Sequence, residues 1–287
     1  GHIMSNTIGE SLSRIIEANG AEVKRANYQG DVGLHVAKTI WGMTKLPKSG
    51  ETLAGHVAYL GKCYAHGATE YEENSSAKTE IHTINKKVYE RSDGEINKLY
   101  DWGRKVSLEY FESIYKKLGT NFDFYFFESE TGDYGKKVVE DNLGRGIFEK
   151  SEGAVVFKGE PHGLHTRVFI NGEGLPTYEA KELGLAKIKY EKYPYDRSIV
   201  ITANEIKDYF KVLLHLIDEL FPELKGKTKH LSHGVLRLPT GKMSSRTGDV
   251  VTALSLISAI EAKVHEKIAE REISKFQKDA ISEIVAI

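Results

Sequence analysis

The amino-acid sequence predicts an α/β nucleotide-binding fold built in two halves, and three observations lead to this class. Helix, strand, turn and helix patterns follow one another over residues 7–43. A short apolar strand at residues 198–202 is of the kind buried in parallel sheets, and a long amphipathic helix follows it. A loop between Gly241 and Gly248 combines glycine, hydroxyl groups and cations, which together suit a polyphosphate.

The first predicted helix begins at a T-x-x-E capping box, Thr7 and Glu10, and ends at Asn19-Gly20. A strand at residues 22–27, a turn at 30–33 and a second helix at 34–43 follow. Residues 46–94 are polar and weakly periodic, with a loop at residues 70–76.

The rest of the chain alternates between helix and strand patterns. The predicted helices are at residues 94–118, 178–190, 204–220 and 254–268, with a weaker one towards 287. The predicted strands are at residues 122–127, 153–157, 166–170 and 198–202, the middle two antiparallel.

Composition limits the classes of protein. The chain has 287 residues and a net charge of −1, so a nucleic-acid site would have to be a local patch. Cys63 is the single cysteine, which excludes an internal disulfide and a cysteine-based metal cluster and fits a reducing compartment. The histidines show no metal-binding spacing, so no metal site is predicted. No apolar run is long enough for a membrane span, and residues 1–4 look like a cloning remnant.

The glycine-flanked loop contains Lys242-Met-Ser-Ser-Arg246 and lacks the spacing of a Walker A motif. It resembles the K-M-S-K-S loop of class I aminoacyl-tRNA synthetases; the alternative is a solvated basic turn. Four further segments, in order, resemble arginyl-tRNA synthetase. They are residues 6–16, Arg25-Ala-Asn-Tyr-Gln-Gly-Asp-Val-Gly33, Phe127-Glu-Ser129 and residues 175–186.

This resemblance implies a class I Rossmann-like core with a mixed α+β connective insertion and C-terminal helices. The implied division is residues 5–45 and 175–252 for the two core halves, 46–174 for the insertion and 253–287 for the helices. It also implies a reaction in which L-arginine and ATP, with Mg²⁺, form arginyl-adenylate, and the arginyl group passes to tRNA(Arg).

The resemblance assigns the ATP site to two places. Lys242 would contact the pyrophosphate, with Met243, Ser244, Ser245 and Arg246 beside it; Ser245 stands where the family often has a second lysine. His233 and Gly234 would border the adenine, the alternative for His233 being a hydrogen-bonded histidine at a strand end.

Arginine binding is assigned to Tyr178 and Glu182, which are neighbours on one helix face. An aromatic ring and a carboxylate suit a guanidinium, although the family has aspartate where Glu182 stands. Glu205 replaces a family glutamine, and the alternative there is an ordinary helix start with Asn204 as N-cap. A solvated helix face is the alternative for the Tyr178 and Glu182 pair.

Asn27, Asp31 and Gly33 belong to a turn that lies beside the active site in the family. Asp31 and Gly33 are expected to be mainly structural, and His35 is expected to lie on a helix face without a ligand.

Two features of the family are not found in this sequence. No complete H-x-G-H signature precedes Asn6, where His2-Ile3 imitates only its first half, and no anticodon-binding domain follows about residue 270. We therefore expect an excised catalytic core with little aminoacylation activity alone.

Other interpretations stay open: a cysteinyl or glutamyl synthetase, or a non-catalytic tRNA- or protein-binding module. A cytoplasmic protein without DNA or membrane partners is expected. The parent enzyme is expected to be a monomer, whereas self-association is a reasonable expectation for the fragment because apolar surface would be uncovered.

Overall fold

The computed structural model describes residues 2–235 and 253–287. Its helices are α1 His2–Ala18, α2 Leu34–Lys45, α3 Leu53–Glu73, α4 Ser75–Glu90, α5 Gly94–Lys117, α6 Glu128–Asp141, α7 Tyr178–Lys192, α8 Lys207–Leu220, α9 Ala253–Lys267 and α10 Lys275–Ala286. Its strands are β1 Ala26–Gln29, β2 Phe124–Phe127, β3 Glu149–Ser151, β4 Ala154–Phe157, β5 Arg167–Ile170, β6 Ser198–Ala203 and β7 Thr228–His233. No helix among these residues is both long and apolar enough to cross a membrane.

The described residues group into two compact units: residues 2–32 with 122–235, and residues 33–121 with 253–287. This grouping by contact does not follow the boundaries implied by the resemblance, since residues 33–45 fall in the second unit. The functional division into core halves and insertion stays a prediction.

The first unit contains two parallel strand pairs and an antiparallel sheet. β1 pairs with β2 and β6 pairs with β7, both parallel, whereas β3, β4 and β5 form an antiparallel sheet. Its core is formed by the inner faces of α7 and α8 against that sheet, with Leu183, Phe210, Leu216 and Phe169 almost fully buried. Parallel pairs with packed helices confirm the predicted α/β class, and the predicted antiparallel pair is β4 and β5.

The second unit is helical. α2 packs against α3, α4 and α5, and α9 packs against α10. Close approach of α2 and α3 depends on glycine, since a Cβ on Gly42 would lie 2.2 Å from the carbonyl oxygen of Cys63. A Cβ on Gly67 would lie 2.1 Å from the carbonyl oxygen of Lys38.

Residues 46–94 differ from the prediction, because α3 and α4 occupy most of them. The buried face of α3 is made of Tyr, Cys, Gly and Ala residues besides one Leu, so its helical period is weak in the sequence. The predicted loop at residues 70–76 shrinks to Asn74, whose side chain accepts hydrogen bonds from Ser76 and Ala77 and so starts α4.

Three predicted boundaries are also wrong. α1 begins at His2 rather than at Thr7, so residues 2–4 are part of a helix. β1 lies at residues 26–29, which are the residues in parallel register with β2. Asn204 does not cap α8: residues 204–206 form a 3₁₀ turn and α8 begins at Lys207.

Candidate active site

The carboxyl ends of β1 and β2 meet at one edge of their sheet, and polar side chains gather there. Asp31 follows β1, while α6 begins directly after β2. Asp31 accepts a hydrogen bond of 2.9 Å from the backbone N–H of Ser129 and one of 2.7 Å from its hydroxyl. Asp31 thereby satisfies the amino end of α6 and fixes the turn after β1 against it.

A buried ion pair links this edge to α7. Lys181 donates to Glu128 at 2.7 Å, and their side chains are 4% and 8% exposed. Gly30 packs beside this carboxylate, since a Cβ there would lie 3.0 Å from Oε1 of Glu128. The amino end of α7 is therefore tied to the ends of both strands.

Glu182 follows one residue later and faces a second group of side chains. Burial raises the pKa of Glu182 to about 7, with Lys189 opposing and Glu128 adding to the shift. Burial and then the charge of Glu182 raise the pKa of Tyr28 on β1 and of Tyr209 on α8. Two carboxyl groups and two phenols therefore share one electrostatic environment with the ammonium groups of Lys181 and Lys189.

Tyr178 lies at the start of α7, and its side chain is 57% exposed. Its backbone carbonyl accepts a hydrogen bond of 3.2 Å from the Tyr209 hydroxyl, which fixes this end of the helix to α8. Tyr178 and Glu182 are thus one turn apart, the first open to solvent and the second partly buried.

The carboxyl ends of β6 and β7 form another edge, with Ala203 paired to His233. His233 hydrogen bonds through Nε2 to the Ser5 hydroxyl of α1 at 2.8 Å, and its Nδ1 lies 2.7 Å from the carbonyl oxygen of Gly234. Glu205 is exposed in the turn that follows β6. Among the described residues, no atom outside the immediate neighbours would lie within 4 Å of a Cβ on Gly234.

The family model for the catalytic domain of class I tRNA synthetases of the arginine type, "tRNA synthetases class I (R)", matches residues 1–287. The chain belongs to this family. Residues 1–4, whose sequence looks like a cloning remnant, lie inside the match. The fold and family inferred from the ordered segments are therefore confirmed.

Curated relatives and a solved structure agree with the family. The chain is 30% identical to an arginine–tRNA ligase of Bacteroides fragilis over 314 residues, covering 100% of this chain and 52% of the relative. It is 32% identical to one from Parabacteroides distasonis, covering 93% of this chain and 48% of the relative. The chain thus spans about half the length of these relatives.

The crystal structure of arginyl-tRNA synthetase from Plasmodium falciparum shares the fold, with a TM-score of 0.71 at 17% identity. That match covers 100% of this chain and 47% of the solved one.

Within this family fold, the structure brings together only some of the predicted site residues. Asn27, Asp31, Tyr178 and Glu182 all belong to the first unit, at or near the β1 and β2 edge. The Asn27 side-chain Nδ2 is buried without a hydrogen-bond partner among the described residues. Gly33 belongs to the second unit, where its φ of 121° favours glycine just before α2.

The basic loop predicted to bind phosphates lies outside the described residues: Lys242, Met243, Ser244, Ser245 and Arg246. Among the residues that are described, no group of three or more His, Cys, Asp or Glu side chains is placed to hold a metal ion.

Sequence reasoning missed Glu128, Lys181 and Lys189. A lysine on a helix normally indicates exposure to solvent, and only the packing of α7 shows that Lys181 is buried and Lys189 partly buried. Glu128 could have been suspected, because it begins a helix directly after a strand in the Phe127-Glu-Ser129 segment.

Proposed function

We propose that this chain is the catalytic domain of an arginine–tRNA ligase, which activates L-arginine with ATP and transfers it to tRNA(Arg). The observation that carries the proposal is the partly buried carboxyl group of Glu182 at the amino end of α7, beside exposed Tyr178. The arginine guanidinium is planar and permanently charged, so it suits a carboxylate together with an aromatic face.

In the proposed first step, the arginine carboxylate attacks the α-phosphorus of ATP. A bond forms between a carboxylate oxygen and the α-phosphorus. The bond between the α-phosphorus and the oxygen that bridges to the β-phosphorus breaks, and pyrophosphate leaves with the electron pair. Negative charge therefore grows on the leaving group, and Lys242 and Arg246 are the cations proposed to meet it. In the second step, a hydroxyl of the terminal adenosine of tRNA attacks the arginyl carbonyl and AMP leaves.

ATP is proposed to lie at the β6 and β7 edge, where His233, Gly234 and Glu205 follow parallel strands. Glu205 is proposed to accept a hydrogen bond from the guanidinium or from a ribose hydroxyl. Mg²⁺ is proposed to enter with ATP, because it is usually bound through substrate phosphates and few carboxylates.

Gly1-His2 are proposed to be the last two positions of the family's H-x-G-H signature. Three observations support this: the two residues have the right identity, the family match includes them, and α1 begins at His2. This interpretation replaces the cloning remnant and weakens the hypothesis of a non-catalytic module.

Arginine binding by this chain tests the site directly. Calorimetric titration should show L-arginine binding by the wild type and its loss in Glu182→Gln, while citrulline, its neutral isostere, should bind more weakly. Equal binding of both amino acids would contradict a carboxylate-based site.

Catalysis is tested in a full-length enzyme by arginine-dependent pyrophosphate exchange with tRNA present. Lys242→Ala should lower the exchange rate at least about tenfold, since a cation at the leaving group is lost. Unchanged exchange would refute its role. We propose that the 287-residue chain by itself charges tRNA poorly, which robust charging would overturn. A cytoplasmic location is proposed for the enzyme.

A further inference from the structure

Lys189 is a partly buried cation that the proposed mechanism does not use. It lies on α7 seven residues after Glu182, which is two helical turns, so both residues are on one face. Helical side chains lean towards the amino end of their helix, so Lys189 leans towards Glu182.

Both side chains line one small, partly open cavity between α7, α8, β6 and β7. The rest of its wall is apolar apart from Thr228, and includes Leu185, Val200, Phe210 and Leu213. Charges in such surroundings are costly unless they compensate each other. Burial lowers the pKa of Lys189, and the charge of Glu182 opposes that shift.

Lys189 is anchored away from the proposed arginine site. Its ammonium donates to the Ser198 hydroxyl at 2.7 Å and lies 5.5 Å from the ring centre of Tyr195. Ser198 begins β6, at the end of the strand opposite to the edge where Glu205 and His233 lie. Tyr178, Glu182 and Lys189 follow one another along α7, so a cation arriving beside Tyr178 meets the carboxylate before the ammonium.

We propose that Lys189 is a positioning residue that keeps Glu182 ionised and directed at the cationic end of the amino acid. The inference rests on the proposed function, because it assumes that Glu182 receives arginine. Among the described residues, the titratable groups that interact electrostatically with Glu182 are Lys189 on α7, Glu128 at the start of α6, and the phenols of Tyr28 and Tyr209. Lys189 is the positively charged group in this set, and it opposes the rise in the pKa of Glu182 that burial and Glu128 cause.

The first measurement needs no ligand. The carboxyl carbons of ¹³C-labelled glutamate are followed by NMR against pH in the 287-residue chain, with Glu182 assigned by its loss in Glu182→Gln. Lys189→Met should raise the titration midpoint of Glu182 by about one pH unit, and Lys189→Arg should restore it. Lys192→Met, which removes an exposed lysine from the same helix, is the matched control and should leave the midpoint unchanged.

The second measurement is calorimetric binding of L-arginine between pH 6 and 8. A midpoint moved from about 7 to about 8 lowers the ionised fraction of Glu182 at pH 7 about fivefold, so arginine affinity should fall about fivefold in Lys189→Met. The loss should shrink towards pH 8 and be absent in Lys189→Arg. Citrulline binding should change much less.

An unmoved Glu182 midpoint in a folded Lys189→Met chain would overturn the inference. Tighter arginine binding in that variant would overturn it too, because it would mean that Lys189 repels the substrate. A moved midpoint in a chain whose wild type binds no arginine would support the charge pairing and count against the proposed function.

Discussion

The buried pair between Lys181 and Glu128 provides a test of how α7 is held at the β1 and β2 edge. The Nζ and Oε2 atoms lie 2.7 Å apart, and the side chains are 4% and 8% exposed. Lys181→Met keeps the length of the side chain and removes the ammonium, so the Glu128 carboxylate stays buried without its partner. Breaking a buried pair in this way costs about 3–5 kcal/mol of unfolding free energy.

The double variant Lys181→Met with Glu128→Gln removes both charges. Its loss should be at most about 1–2 kcal/mol, because no buried charge remains unpaired. Urea unfolding followed by far-ultraviolet circular dichroism measures each variant, and the double-mutant cycle gives the coupling energy. Lys137→Met breaks the exposed pair with Asp141 on α6 and should cost no more than about 0.5 kcal/mol.

Two results would refute this reasoning. A Lys181→Met loss as small as that of Lys137→Met would mean that Glu128 finds another partner or is neutral. A double variant as unstable as the sum of the single variants would mean that packing, rather than charge, accounts for the loss.

Three further predictions concern how the first unit is held together. Gly184→Ala would place a Cβ 2.2 Å from a backbone oxygen of α6, so it should lower stability by about 1–3 kcal/mol. Gly61→Ala, whose Cβ would contact none of the described residues, should be neutral or stabilising, and equal melting temperatures would contradict this. Asp31→Ala should lower the unfolding free energy by about 1–2 kcal/mol, because Ser129 at the start of α6 loses its hydrogen-bond acceptor, and Asp31→Asn should lower it less. Equal destabilisation of the two variants in thermal unfolding would argue against a capping role for Asp31. For Glu10, burial acts to raise the pKa, but hydrogen bonds from its arginine partners outweigh it and hold the pKa below its usual value. The resulting stability is present at neutral pH and is lost as the pH falls through this lowered pKa, so Glu10→Gln should flatten the acid limb of unfolding midpoints measured from neutral to acidic pH. An unchanged limb would contradict this.

The sequence alone was sufficient for the family and for most elements. α2, α5, α7 and the parallel strand β6 lie close to their predicted positions, because long apolar periods and short apolar runs are local properties. Local patterns were insufficient for α3, whose buried face consists largely of small and aromatic residues. Glycines at this face are unfavourable in an isolated helix, and their benefit arises only where α2 packs against them.

The order of the matching segments along the chain indicated which reaction to expect. The spacing of Tyr178 and Glu182, one helical turn apart, was enough to predict them as an arginine-binding pair. Tertiary structure decided the electrostatics of that turn. Lys181 and Lys189 are ordinary helix residues in the sequence. Packing against α6, α8 and β6 buries Lys181 fully and Lys189 partly, and gives each a glutamate as its charge partner. The physical reason is that the cost of a buried charge depends on solvent exclusion by distant segments, which no local pattern records.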